Sequence, residues 1–192
     1  MSELKDLLTN FSELTKEEIE QLEEYKKSIE LLAGGGLNLE FTNKDPMHAA
    51  LVMSTIFKTT DNSLKVYTGS FSGEVSDNPI YLKELSDSMN KNEKTLEVVF
   101  EKKPKEDSKC LQMLRDLIKE NKKVEMYLLN SEFQKKVEAQ SLGHFTIGDG
   151  KMYRYETDKV RFRAFCNFDD KIFVEKLNKN FLILKLNSTR YN

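Results

Sequence analysis

From Leu64 to Leu129, short apolar runs alternate with amphipathic stretches, and turn residues separate them. LKVYTG (64–69), TLEVVFE (95–101) and KVEMYLL (123–129) have the length and β-branched content of strands. Between them lie IYLKELSDSMN and CLQMLRDLIKEN, both patterned as helices, the second capped by Asp107 or Ser108. Strands joined by single helices at this spacing imply parallel β-α-β units with right-handed crossovers. The fold class expected is α/β, with a mixed, largely parallel sheet and helices on both faces.

The flanks extend this pattern. LNLEF (37–41) alternates like a strand, and Asp45-Pro46 opens a helix, with Asp as cap and Pro at the first helical position. HFTIG and KMYRYE flank Asp149-Gly150, a tight-hairpin signal. VRFRAFCNF (160–168) is expected as a strand with Val160, Phe162, Ala164 and Cys166 on one face. DDKIFVEKLNKNF is a closing helix, and FLILKLN a terminal strand or docking tail.

Residues 1–36 form a separate N-terminal helical arm before a domain spanning 37–192. A short helix is expected from Glu3 to Phe11. A second starts at the Thr15–Glu18 capping box, carries Ile19, Leu22, Tyr25, Ile29 and Leu32, and stops at Gly34-Gly35-Gly36. Such an arm either packs on its own domain or holds a protein partner or second copy.

Composition narrows the function classes. The 192 residues carry a net charge of −2, which gives no support to nucleic-acid binding beyond a local patch such as Arg161 and Arg163. No leading apolar run of signal-peptide type occurs, and no stretch is long enough to span a membrane, so a cytoplasmic protein is expected. Cys110 and Cys166 sit in apolar patterns as free buried thiols. With two histidines and no metal-type cysteine spacing, no metal site is expected, and no nucleotide-binding glycine motif or other cofactor signature is present.

His144 opens the first strand of the Asp149-Gly150 hairpin, and Ala164-Phe165-Cys166-Asn167 follows on a later strand. In this order the chain resembles one half of the phospholipase D superfamily, whose HxKxxxxD motif is followed by GSxN. His144 matches the histidine and Asn167 the asparagine, over roughly residues 37–181. The lysine position falls on Thr146, the aspartate on Lys151 and the serine on Phe165, so the motif is degenerate.

The resemblance implies a phospholipase D-like fold and, in an active member, a phosphohistidine formed by one histidine while another protonates the leaving group. With one half-motif, activity would require a dimer contributing His144 from each subunit, with Asn167 holding phosphate oxygen. The absent lysine alone is worth on the order of 100- to 1000-fold in rate. The function expected is therefore a non-catalytic interaction or regulatory subunit, in a bacterial phage-defence or mobile-element complex. A dimeric phosphodiesterase or nuclease is the alternative.

Arg154 and Glu156 share a strand face near His144. They form either an altered phosphate-binding site, with Arg154 replacing the lysine, or a structural hydrogen-bonded cluster. His48, in the first turn of the Pro46 helix, is expected to cap or face solvent rather than to assist His144.

Overall fold

The computed structural model describes residues 14–192 except Ser72 and Asn92, so the helix expected at Glu3–Phe11 lies outside the described residues. One eight-stranded sheet runs through the molecule in the order β1-β7-β6-β5-β2-β3-β4-β8. The strands are β1 (Phe41–Asn43), β2 (Ser63–Thr68), β3 (Thr95–Phe100), β4 (Val124–Leu129), β5 (Phe145–Gly148), β6 (Met152–Asp158), β7 (Arg163–Asn167) and β8 (Ser188–Arg190). Parallel pairing is confined to β2, β3 and β4, and every other pair is antiparallel. Beside β2 the sheet switches from parallel β3 to antiparallel β5, and that switch point frames the candidate site.

The helices are α1 (Lys16–Gly35), α2 (Pro46–Thr59), α3 (Pro79–Lys91), α4 (Lys109–Lys119), α5 (Ser131–Ala139) and α6 (Lys171–Leu186). They cover both faces, as expected of this fold class. Val66, Val98 and Cys166 pack on one face with α2, α3 and α4. Tyr67, Val99 and Phe145 pack on the other with Val174, Leu177 and Phe181 of α6. Strand alternation divides neighbouring residues between these two cores.

The chain's own capping chemistry sets several boundaries. Thr15 and Glu18 form the capping box at the start of α1, and Gly36 closes the helix in the left-handed conformation at φ 57°. α1 packs on the rest of the chain: Ile19, Leu22 and Ile29 are buried in the same core as α2, and Glu30 pairs with Lys58 of α2 at 3.0 Å. Asp45 and Ser108 cap α2 and α4 as expected.

Three expectations need correction, and one helix is additional. The first strand is Phe41–Asn43 rather than 37–41; Leu37 and Leu39 stay exposed, and β7 pairs with the later residues. The strand expected at 160–168 begins only at Arg163. Asp158 Oδ1 accepts from the amides of Val160 and Arg161, and Phe162 takes a positive φ of 55°, which turns the chain. Ala164 and Cys166 are buried on one face as expected, but Val160 is exposed. The run FLILKL completes α6, because Phe181 and Leu184 continue the buried face of Val174 and Leu177 at helical spacing. The additional helix is α5: Asn130 caps it, and Val137 is its one buried residue.

The hairpin turn has a second job. Asp149 (φ 46°) and Gly150 (φ 67°) both adopt the positive φ that a two-residue hairpin loop requires. The Asp149 carboxylate also accepts from the amides of Asp61, Asn62 and Ser63 at 2.7, 2.8 and 3.0 Å. Those three N–H groups outweigh its partial burial and hold its pKa below the usual range. Asp149→Ala is expected to cost about 2 kcal/mol, since hydrogen bonds to a charged acceptor are lost together. A urea melt measures it, and an unchanged midpoint would contradict this role.

Candidate functional site

The site forms where the ends of β2 and β3 meet the start of β5. His144 stands just before β5 with 18% side-chain exposure. Its Nδ1 lies 2.9 Å from Glu156 Oε2 and its Nε2 lies 3.0 Å from Glu101 Oε2. Both carboxylates are buried. An ionised carboxylate only accepts, so this placement suits a protonated ring that donates from both nitrogens. Burial opposes that charge, but the bonds to Glu101 and Glu156 outweigh it and hold the His144 pKa above its usual value.

The backbone fixes this pairing. The Glu156 amide donates to the His144 carbonyl at 2.8 Å. A Cβ on Gly143 would fall 2.0 Å from the Glu156 carbonyl oxygen, so only glycine permits the approach. The Tyr155 hydroxyl accepts from the Gly143 amide at 3.1 Å.

Glu101 follows β3 and gathers donors. Its Oε2 also accepts from the Tyr67 hydroxyl and from Lys159 Nζ, each at 2.8 Å. Burial pushes its pKa up, but the hydrogen bonds from His144, Lys159 and Tyr67 prevail and lower it to about 2. Glu156 is likewise held low, because His144 and Arg154 outweigh its burial.

Arg154 is 6% exposed and committed on several sides. Its Nε donates to Asn43 Oδ1 at 3.0 Å, and one terminal nitrogen donates to Glu156 Oε1 at 3.2 Å and to the Phe162 carbonyl at 2.8 Å. Asn43 donates to the same carbonyl. Arg154 stands directly across from Thr146, the residue at the lysine position, on the neighbouring strand.

The structure thus brings His144, Arg154 and Glu156 together but leaves Asn167 outside. Asn167 lies in register with Tyr153, one residue off from Arg154's partner Cys166, so it projects to the opposite face of the sheet. There it donates to Asn38 and accepts from the Asp169 amide. His48 bonds Asp45 through both its amide and Nδ1, and packs edge-on against Tyr25 at 4.4 Å. Cys110 and Cys166 are free and buried, and burial raises both thiol pKa values.

Sequence reasoning missed Glu101, Lys159, Tyr67 and Asn43. Only one signal pointed to Glu101, a charge closing the apolar strand TLEVVFE. Lys159 and Asn43 arrive through a turn and an edge strand that local patterning did not place.

No family model and no curated protein matches the sequence, but solved structures do. Nuc from Salmonella typhimurium, a phospholipase D family member, superposes with a TM-score of 0.60 at 12% identity, covering 81% of this chain and 99% of that one. NucT from Helicobacter pylori gives a TM-score of 0.58 at 12% identity, with the same coverage. TrmBL2, an archaeal chromatin protein with a novel mode of DNA binding, gives 0.58 at 13% identity over 98% of this chain and 69% of that one. These likenesses define the class of the molecule by its architecture: the chain has a phospholipase D-like fold. Among the described residues, no helix is long and apolar enough to cross a membrane.

Proposed function

We propose that this phospholipase D-like domain is non-catalytic and acts as an interaction or regulatory subunit. The observation that carries this reading is that both nitrogens of His144 face carboxylates. A histidine nucleophile needs one nitrogen with a free lone pair aimed at phosphorus. Here both ring nitrogens are taken up by carboxylates, and the exposed cation beside them, Lys159, is itself paired with Glu101. Thr146 supplies no ammonium, and Arg154 is already engaged.

Exposed apolar side chains support the interaction role. Leu182, Ile183 and Leu186 on α6 and Leu31 on α1 face solvent. Membership of a bacterial phage-defence or mobile-element complex is part of the proposal and rests on the sequence resemblance.

The alternative is a dimeric phosphodiesterase or nuclease with one His144 from each subunit. Its support is the His144 Nδ1–Glu156 contact, the arrangement that would orient a nucleophilic imidazole, together with the fold of Nuc. Hydrolysis of bis(4-nitrophenyl) phosphate separates the two readings. The non-catalytic reading predicts no rate above buffer and no change in His144→Ala. Turnover that disappears in His144→Ala would overturn it.

A further inference from the structure

Two unpartnered features meet at one end of the sheet. β8 ends the strand order, and among the described residues no strand lies on its outer side. Its inner side is fixed. The Asn130 amide donates to the Asn187 carbonyl at 3.0 Å, and the Tyr191 amide to the Met126 carbonyl at 2.9 Å. Antiparallel ladders alternate, so Thr189 turns its backbone groups toward β4, while the N–H and C=O of Ser188 and Arg190 point outward. An open edge of this kind is a template for another strand.

The second feature is the end of α6. The helix starts at β6, where Phe173 packs on Tyr153 at 4.7 Å. It ends over β4 and β8, where Lys185 lies over the Tyr127 ring and the Ser188 hydroxyl donates to the Leu184 carbonyl. Its last turns are apolar all round. Phe181 and Leu184 face the core, whereas Leu182, Ile183 and Leu186 are 57%, 49% and 74% exposed. A helix apolar on every side is normally covered on every side.

Charge and register select what covers it. The charges at this end cancel, because Lys185 pairs with Glu97 and Glu125, and Arg190 with Glu125. A strongly charged partner therefore gains nothing here. The backbone of β8 is instead complementary to itself. With Thr189 opposite its own copy, Ser188 of each strand faces Arg190 of the other, and the outward groups close hydrogen bonds on both sides of the centre. About two strand spacings, or roughly 10 Å, then separate the ends of the two α6 helices, a distance at which helices pack.

We propose that this edge is a twofold interface with a second copy of the chain, in which β8 pairs antiparallel with β8 and the apolar end of α6 packs on its counterpart. The inference deepens the interaction reading and rests on it. Nine strand spacings, about 43 Å, separate the two His144 side chains in this dimer, too far to share one phosphate.

Sedimentation velocity of the full chain from about 1 to about 200 µM should show a monomer–dimer equilibrium with a Kd of about 10 µM, as suits a small interface of one strand and three apolar side chains per copy. Leu186→Glu should weaken it at least about tenfold while leaving the melting temperature of the monomer unchanged, since Leu186 is exposed there. Arg190→Pro removes an outward N–H that β4 does not use, so it should weaken the dimer similarly with the fold retained. Leu39→Glu, next to the opposite edge strand β1, should change nothing. Thr189→Cys should form a disulfide-linked dimer on mild oxidation, because opposed residues of a non-hydrogen-bonded pair have Cα atoms about 4.5 Å apart. Arg190→Cys, displaced from its own copy along the strands, should not. A monomer throughout the range, a dimer that survives both Leu186→Glu and Arg190→Pro, or Thr189→Cys that stays unlinked would overturn the inference. So would a monomer that pellets with phosphatidylglycerol vesicles, which would assign this face to lipid. Turnover of bis(4-nitrophenyl) phosphate by the same protein would instead overturn the reading beneath it.

Discussion

Glu156→Ala is expected to destabilise the protein by about 3–5 kcal/mol, as removal of one partner from a buried ion pair does. The cause is what the carboxylate leaves behind. Arg154 is 6% exposed and keeps only Asn43 and the Phe162 carbonyl, so its guanidinium becomes a buried charge without a counterion. His144 loses its Nδ1 acceptor in the same step. Urea unfolding at pH 6 measures the loss as a lower midpoint at unchanged slope. The double variant Arg154→Met with Glu156→Leu should recover most of it, because the stranded charge is removed as well. A Glu156→Ala midpoint within experimental error of wild type would mean that Arg154 is solvated or differently paired.

Stability is also expected to be greatest between about pH 4.5 and 6.5 and to fall on both sides. On the acid side, Glu101 is depressed in the folded state to about 2 from 4.5. It therefore contributes stability that is present above 4.5 and lost as pH falls through 2, a loss of about 3 kcal/mol. Glu156, also held low, adds in the same direction. On the alkaline side, His144 is raised above 6.5 in the folded state. Its contribution is complete below 6.5 and disappears as pH rises through the raised value. Lys159 and Arg154 are the other partners of these carboxylates, and Tyr67, its hydroxyl pKa raised by burial, remains a neutral donor to Glu101. His144→Gln should flatten the alkaline limb and leave most of the acid limb. A wild-type midpoint that keeps rising from pH 6.5 to 8.5 would contradict the paired imidazolium.

The parts of the fold that were legible in the sequence are those set by local chemistry. The Thr15–Glu18 box, the Asp45-Pro46 start and the Asp149-Gly150 turn each carry their geometry in adjacent side chains. The parallel core of β2, β3 and β4 follows from strand and helix periodicity. Errors fell where tertiary packing decides. FLILKL has the composition of a strand, yet it is helical because Phe181 and Leu184 reach the core at helical spacing. Val160 and Phe162 fit an alternating pattern that the Asp158 turn interrupts.

The candidate site divides along the same line. His144, Arg154 and Glu156 were legible because one hairpin brings them together. Strand parity, which depends on register across β6 and β7, sends Asn167 to the other face. Glu101 occupies His144 Nε2 from a strand more than forty positions away in sequence. That long-range contact changes the chemical reading of the histidine, and no local motif encodes it.

Nitrogen-15 NMR of the His144 ring at pH 7 tests the central claim most directly. With both nitrogens donating to carboxylates, Nδ1 and Nε2 should both carry protons, and their resonances should move together only as pH rises above the normal histidine range. A neutral ring at pH 7 with an unprotonated Nε2 would restore the free lone pair that a phosphodiesterase needs and would contradict the account.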